Sequence, residues 1–174
     1  MSWYCDIAPG HPFHGPYHDH EYGFPLSGDA ALFERLCLEI FQAGLSWLIV
    51  LKKRDSLKLA FEGFDPVTVA AYGEADLARL LADAGIIRNR RKILAVIDNA
   101  GRVNRLVGQY GSFAGWLAAH HPRSKEAWVK LFKQTFVFTG GEVVNEFLMS
   151  IGYLPGAHRP DCPVAQRLAE RQLL

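Results

Sequence analysis

A carboxylate set among residues that must be buried is the first chemistry this sequence offers. In the stretch Leu32 to Arg54, LFERLCLEIFQAGLSWLIVLKKR, the residues Leu32, Phe33, Leu36, Cys37 and Ile40 recur at helical spacing. At about 100° per residue Glu39 falls about 60° from Leu36, at the margin of that apolar stripe. A carboxylate there must reach water, find a partner or wait for a ligand that supplies one, because burying it charged and unpaired is costly. The plain alternative is that Glu39 reaches solvent beside Arg35, as stripe-edge carboxylates commonly do. Gly44 ends this helix, Ser46 can cap the next, and the turn carries Trp47 back toward the end that bears Glu39. An aromatic plate beside a half-buried carboxylate is one way to hold a planar ligand with polar edges.

Metal-ligand chemistry is divided between the two ends of the chain. His158-Arg-Pro-Asp-Cys162 has the His-x3-Cys spacing at which both side chains can grip one Zn²⁺, and the first 26 residues offer Cys5 and His18. Together they make a Cys2His2 set that would hold an arm without periodicity against the C-terminal segment. A closed tetrahedral set of this kind is structural, since catalysis needs an open position. His11, His14 and His20 are alternative arm ligands, and spacing does not choose among them. Cys37, on the apolar stripe, reads as core.

A third feature is basic. Gly85-Ile86-Ile87 leads into Arg88, Arg90, Arg91 and Lys92, with Asn89 placed to cap a long helix bearing Ile93, Val96, Ile97 and Ala100. A helix, a glycine turn and a basic helix start aim backbone N–H groups and a positive dipole end at one place, where a phosphate fits. A plain helical hairpin with solvated arginines fits the same residues. Lys52-Lys53-Arg54 closes a helix and reads as its solvated end.

The elements that must position these groups are helices. The 174 residues are 49% hydrophobic with a net charge of +1, enough for one domain or two small lobes around a packed core. That charge leaves polyanion binding to local basic clusters. The longest apolar run, Leu45 to Leu51, is far short of the roughly 20 residues of a membrane helix. The start MSWYCDIAPGH lacks the charged and apolar regions of a secretory signal, so the expectation is a cytoplasmic chain whose cysteines are thiols or metal ligands. Met1 to Leu26, rich in Pro, Gly, His and aromatics, reads as an ordered but irregular arm.

Ser27 or Asp29 is expected to cap the first core helix, and the second runs from Ser46 to about Glu62. Asp65-Pro66 opens a short helix through Tyr72. Glu74 to Ala84 forms another, with Leu77, Leu80, Leu81 and Ala84 on one face and Gly85 as its stop. Ser112 and Ser124 start two more, through about Ala119 and Lys133, and Gly140-Gly141 opens a last one from about Glu142 to Ile151. Phe136-Val137-Phe138 could pass for a strand, but no second strand is there to pair with it. The expected architecture is all-α, with about eight helices.

Cys5, Tyr17-His18-Asp19-His20-Glu21-Tyr22-Gly23, Leu36-Cys37-Leu38-Glu39, Gln42-Ala43-Gly44-Leu45-Ser46-Trp47, Lys52-Lys53-Arg54, Phe64-Asp65-Pro66, Asp83-Ala84-Gly85-Ile86-Ile87-Arg88 and His158 with Cys162 lie in this order over nearly the whole chain. In these pieces the sequence resembles the DNA-3-methyladenine glycosylase I family. The resemblance implies a single glycosylase domain over residues 1–174, all-α and of the helix-hairpin-helix fold, with two helical lobes and packed termini. It implies one structural zinc, held by Cys5, His18, His158 and Cys162, that ties the two ends together. The hairpin, here Gly85, Ile86, Arg88, Arg90, Arg91 and Lys92, is expected to bind the backbone of double-stranded DNA containing alkylated bases. Glu39 is the expected catalytic and base-reading residue, accepting hydrogen bonds from a flipped methylated adenine against which Tyr17 and Trp47 stack. The family lacks the aspartate usual in helix-hairpin-helix glycosylases, so the cationic base leaves readily and water completes a monofunctional reaction. A cation stacks well on aromatic faces and pairs with a carboxylate. A monomer is expected.

Several positions depart from the family's pattern. Ile7 and Tyr22 stand where tryptophans are usual, His14 stands where a tyrosine is often found, and Gly141, Glu142 and Asn145 replace threonines and a tyrosine. Glu142 and Glu146 add carboxylates near the expected pocket. These changes bear on substrate range, and they keep two other readings open: a catalytically silent binder of damaged DNA, and a glycosylase for a different alkylated base.

Overall fold

A computed structural model describes residues 3–172, and among them the chain is helical throughout, with no strand. An N-terminal arm carries two short helices, α1 (Tyr4–Ile7) and α2 (His14–His20). The core begins with α3 (Asp29–Gln42) and α4 (Trp47–Ala60), followed by a turn of 3-10 helix (Glu62–Phe64), α5 (Pro66–Ala70) and α6 (Glu74–Ala82). Then come the long α7 (Arg90–Tyr110), α8 (Phe113–His120), α9 (Lys125–Thr135), α10 (Gly141–Ser150) and a C-terminal α11 (Pro163–Gln172).

The centre is α3. Every residue from Leu32 to Phe41 is buried, because α4, α7, α8 and α10 all pack on this one helix. The stripe seen in the sequence is therefore a helix enclosed on all sides, and its polar members need partners. Arg54 donates to Glu34 at 2.9 Å and to both oxygens of Glu21 at 2.7 and 2.8 Å, while Arg35 donates to Glu21 at 3.2 Å and to the Ser150 carbonyl at 3.2 Å. Burial works against ionisation of Glu21, but the Arg54 and Arg35 guanidinium groups outweigh it and hold its carboxyl below the ordinary value. Glu21 belongs to the arm, so this network fastens the arm to the core.

Five expected caps are present: Ser46, Asp65, Asn89, Ser112 and Ser124 each accept a hydrogen bond from the backbone amide three residues on. Caps of this kind contribute about 1 kcal/mol each. Neither Ser27 nor Asp29 caps α3. Gly28 takes that position with φ 94°, and the Asp29 carboxylate instead accepts from the Phe113 amide at 2.9 Å, linking α3 to α8. The arm is less irregular than its composition predicts. The amides of Phe13 and His14 both donate to the His11 ring at 3.1 Å, so an imidazole caps α2, and Pro16 falls in the first turn, where its missing N–H is not needed. Phe136-Val137-Phe138 is a link between α9 and α10, not a strand. The buried Asn99 amide donates to the Val137 carbonyl and accepts from the Val137 amide, both at 2.9 Å, and so satisfies the backbone a strand partner would have served.

Candidate functional site

A cavity of about 340 Å³ opens between the arm and α3. The arm contributes Tyr4, Tyr17 and Tyr22 to its wall, α3 contributes Glu39 and Gln42, α4 Trp47, α10 Glu146, and the segment before α11 contributes Gly156 and Ala157. Trp3 and Ile7 also line it and are themselves exposed. The Tyr17 ring lies 5.1 Å from that of Trp47 with the planes 59° apart, so a planar ligand flat on one meets the other at an angle. Behind Tyr17 the Arg35 guanidinium sits 5.1 Å from the ring centroid. The Trp47 Nε1 is buried with no hydrogen-bond partner among the described residues.

Glu39 is 4% exposed, and no hydrogen bond or ion pair engages its carboxylate among the described residues. Arg35, one turn earlier, is committed to Glu21 and Ser150. Burial, then the neighbouring charge of Glu146, push the Glu39 carboxyl up to about 8, with Arg35 opposing. Glu39 faces the cavity and not the outer surface beside Arg35, and it has no donor there among the described residues. Glu146 is half-buried; its Oε2 accepts from the Tyr22 hydroxyl at 3.2 Å. Burial raises its carboxyl too, against the Tyr22 hydrogen bond and with Glu142 adding to the rise. Aromatic walls around two carboxylates suit a flat, polar-edged ligand with positive charge, and the volume accommodates a bicyclic ring.

Beside this cavity the two ends of the chain meet. The donor atoms of Cys5, His18, His158 and Cys162 all lie within 4.8 Å of one another. His158 Nδ1 is 3.2 Å from His18 Nε2, 3.6 Å from Cys5 Sγ and 3.9 Å from Cys162 Sγ, which is 3.7 Å from His18 Nε2. A tetrahedron with metal–nitrogen bonds of about 2.0 Å and metal–sulfur bonds of about 2.3 Å has edges of roughly 3.3–3.8 Å, so the set can hold a metal ion. The remaining ring nitrogens are oriented: His18 Nδ1 lies 2.7 Å from Asp19 Oδ1, and His158 Nε2 lies 2.5 Å from the Tyr22 carbonyl. Gly23 makes room for this, since a Cβ there would fall 3.2 Å from the His158 ring, and its φ of 85° suits glycine. The other arm histidines are elsewhere: His11 caps α2, His14 pairs with the Tyr4 hydroxyl at 2.8 Å, and His20 is exposed.

The basic hairpin joins α6 to α7. Gly85 packs so closely on Ser56 of α4 that a Cβ would meet its side chain at 3.3 Å, and its amide donates to Asp83 at 2.8 Å. Arg88, Arg90 and Arg91 are exposed around the N-terminus of α7, and none forms an ion pair among the described residues. Lys92 departs from the expectation that it faces a phosphate. It is buried, and its amine donates to the Phe41 carbonyl at 2.8 Å and to the Ala43 carbonyl. It closes the C-terminal end of the helix that carries Glu39, because it shares the inward face of α7 with Val96, Asn99 and Val103. Ile86 is likewise core, anchoring the turn from within. Periodicity missed Tyr4, Gly156 and Ala157, which reach the cavity from irregular or very short segments.

The sequence pattern of the methyladenine glycosylase family matches residues 8–127. DNA-3-methyladenine glycosylase 1 of Escherichia coli strain K12 is 52% identical over 96 residues, a match that spans 55% of this chain and about half, 51%, of that relative. DNA-3-methyladenine glycosylase of Haemophilus influenzae is 35% identical over 182 residues, covering 94% of this chain and 98% of the relative. Among solved structures, a variant of 3-methyladenine DNA glycosylase I in complex with 3-methyladenine superposes with a TM-score of 0.83 at 32% identity, over 92% of this chain and 96% of that one.

Proposed function

The chain belongs to the methyladenine glycosylase family, and from that premise we propose that it hydrolyses the N-glycosidic bond of 3-methyladenine in alkylated double-stranded DNA, leaving an abasic site. The observation that carries the reading is Glu39, a buried and unpartnered carboxylate facing a cavity walled by aromatic rings. A flipped 3-methyladenine brings both what this carboxylate lacks, N–H donors, and what the walls favour, a delocalised positive charge. Tyr17 and Trp47 hold the ring, Glu39 reads its amino edge, and the seated base itself fills the cavity while its sugar side stays toward solvent. The alkylated base is already cationic, so the C1′–N bond can break with its electron pair passing to the ring, and no residue need protonate the leaving group. No wall residue is a lysine, which supports attack by water, without a covalent amine intermediate or strand cleavage.

In this reading the α6–α7 turn is a helix-hairpin-helix element: Gly85 and Ile86 shape it, and Arg88, Arg90 and Arg91 meet backbone phosphates at the N-terminus of α7. The ion at Cys5, His18, His158 and Cys162 is a structural zinc, since the four donors close a tetrahedron and leave no open position. It would hold α1, α2 and the segment before α11 together, and with them Tyr4, Tyr17 and Tyr22. The protein acts as one domain and a monomer on DNA in the cytoplasm. No described helix is long and apolar enough to cross a membrane. The test is chromatography of free base released from methylated duplex, with a panel of lesions. Released 3-methyladenine with matching abasic sites is expected; a folded protein that binds the duplex and releases nothing would be a silent binder, and release of another base alone would redirect the substrate.

A further inference from the structure

Two carboxylates line the cavity, and only one has a part in the reading above. Glu146 joins Glu39 in its wall, and both also border the adjoining recess lined by Gln42 and Glu142. The Tyr22 hydroxyl, itself in the wall, donates to Glu146 Oε2 at 3.2 Å and keeps the group facing the cavity. Glu146 forms no ion pair among the described residues; the Lys125 charge favours its ionised form from beyond contact distance, and Oε1 is left for a ligand. Two carboxyl groups around one small cavity resist being ionised together in the empty protein, and a positive ligand relieves that resistance by favouring the ionised form of both. A normal purine is neutral, whereas a purine nucleotide alkylated on a ring nitrogen carries a delocalised positive charge.

We propose that Glu146 is a specificity-determining residue: together with Glu39 it selects ring-alkylated purines that carry a positive charge over neutral purines. The proposal rests on the base-site reading of the cavity and adds the origin of its charge selectivity. Glu39 alone accepts from the donors of a neutral or a cationic base, so it reads the edge. The second carboxylate adds an attraction that exists only for the cation, and a base seated in the cavity displaces water from between the two charges.

The test compares binding of 3,9-dimethyladenine, a cation that mimics the damaged nucleoside, with binding of 3-methyladenine in a buffer alkaline enough to keep that base neutral. Calorimetric titration would be run on wild type, Glu146→Gln, Glu146→Ala and Glu39→Gln, each checked by circular dichroism. Both Glu146 variants are expected to lose about tenfold in affinity for the cation, the scale of one charge-assisted contact, and less than about twofold for the neutral base. Glu39→Gln should lose both ligands. Equal losses for the two ligands in the Glu146 variants, or none for the cation, would overturn the proposal while leaving the base site intact. A wild type that binds neither ligand would overturn the base-site reading itself.

Discussion

Replacing Glu39 by glutamine is expected to stabilise the protein while removing its ability to read a base. The Glu39 carboxyl ionises at about 4.5 when freely solvated and only at about 8 in the folded pocket. Between those values the unfolded chain has released the proton and the folded chain still holds it, so this residue makes stability fall as pH rises, at about 1.4 kcal/mol per unit. The loss starts near the unfolded value and levels off once the folded group has ionised. Across the full window it amounts to roughly 3–5 kcal/mol, a large share of the stability of an ordinary domain. Glutamine has the same volume and never ionises, so the two proteins should be nearly equal at about pH 5 and differ by several kcal/mol at about pH 9. Urea unfolding of both proteins across that range, extrapolated linearly to water, measures the difference. Parallel curves would refute the reasoning, as would a wild type that gains on the variant with rising pH, because either outcome means Glu39 is ionised and satisfied in the empty pocket. The same variant should bind 3-methyladenine about ten- to a hundredfold more weakly, followed by quenching of Trp47 fluorescence.

Charge reversal at Arg88 or Arg91 is expected to weaken binding to damaged and undamaged duplex alike and to flatten its salt dependence, measured by fluorescence anisotropy; loss of lesion discrimination alone would remove the hairpin from the DNA interface. Purified protein should contain about one zinc per chain by elemental analysis, and Cys162→Ser should lower both metal content and the thermal midpoint; full metal and an unchanged midpoint would exclude the four-residue site. Lys92→Met leaves the Phe41 and Ala43 carbonyls without their donor and should destabilise by about 1–3 kcal/mol in urea, and an unchanged midpoint would mean that water replaces the amine.

The cap residues were legible because capping is local: Ser46, Asp65, Asn89, Ser112 and Ser124 each need only a side-chain oxygen and an amide three residues away. The helix α2 was not, because its cap is the His11 ring, a residue type outside the usual rule. Position at the edge of a stripe left Glu39 between solvent and pocket. What buries it is the arm and α10, brought over it by long-range packing that no local pattern carries. Glu146 and Tyr4 reach the cavity through the same packing. Lys92 is the instructive case, since its place in a run of cations suggested an outward side chain. Stepping four residues back from Val96 along the buried face of α7 lands on Lys92, so helical phase outweighs composition there.

The meeting of Cys5 and His18 with His158 and Cys162 has a topological consequence. An ion shared by all four would turn a linear chain into a ring that encloses nearly every residue, much as a disulfide between the termini would. For loops longer than about 100 residues such a closure removes roughly 5 kcal/mol of conformational entropy from the unfolded chain. The benefit is reversible, because thiolates and imidazoles release their ion to acid, oxidant or a stronger chelator. Opening the ring would loosen the first turns of the arm, with Tyr4, from one side of the cavity, while Glu21, still paired with Arg54 and Arg35, keeps Tyr17 and Tyr22 close to the core. Metal loss would thus slacken the rim of the cavity formed by the first helix while leaving the rest of its wall and the turn before α7 in place.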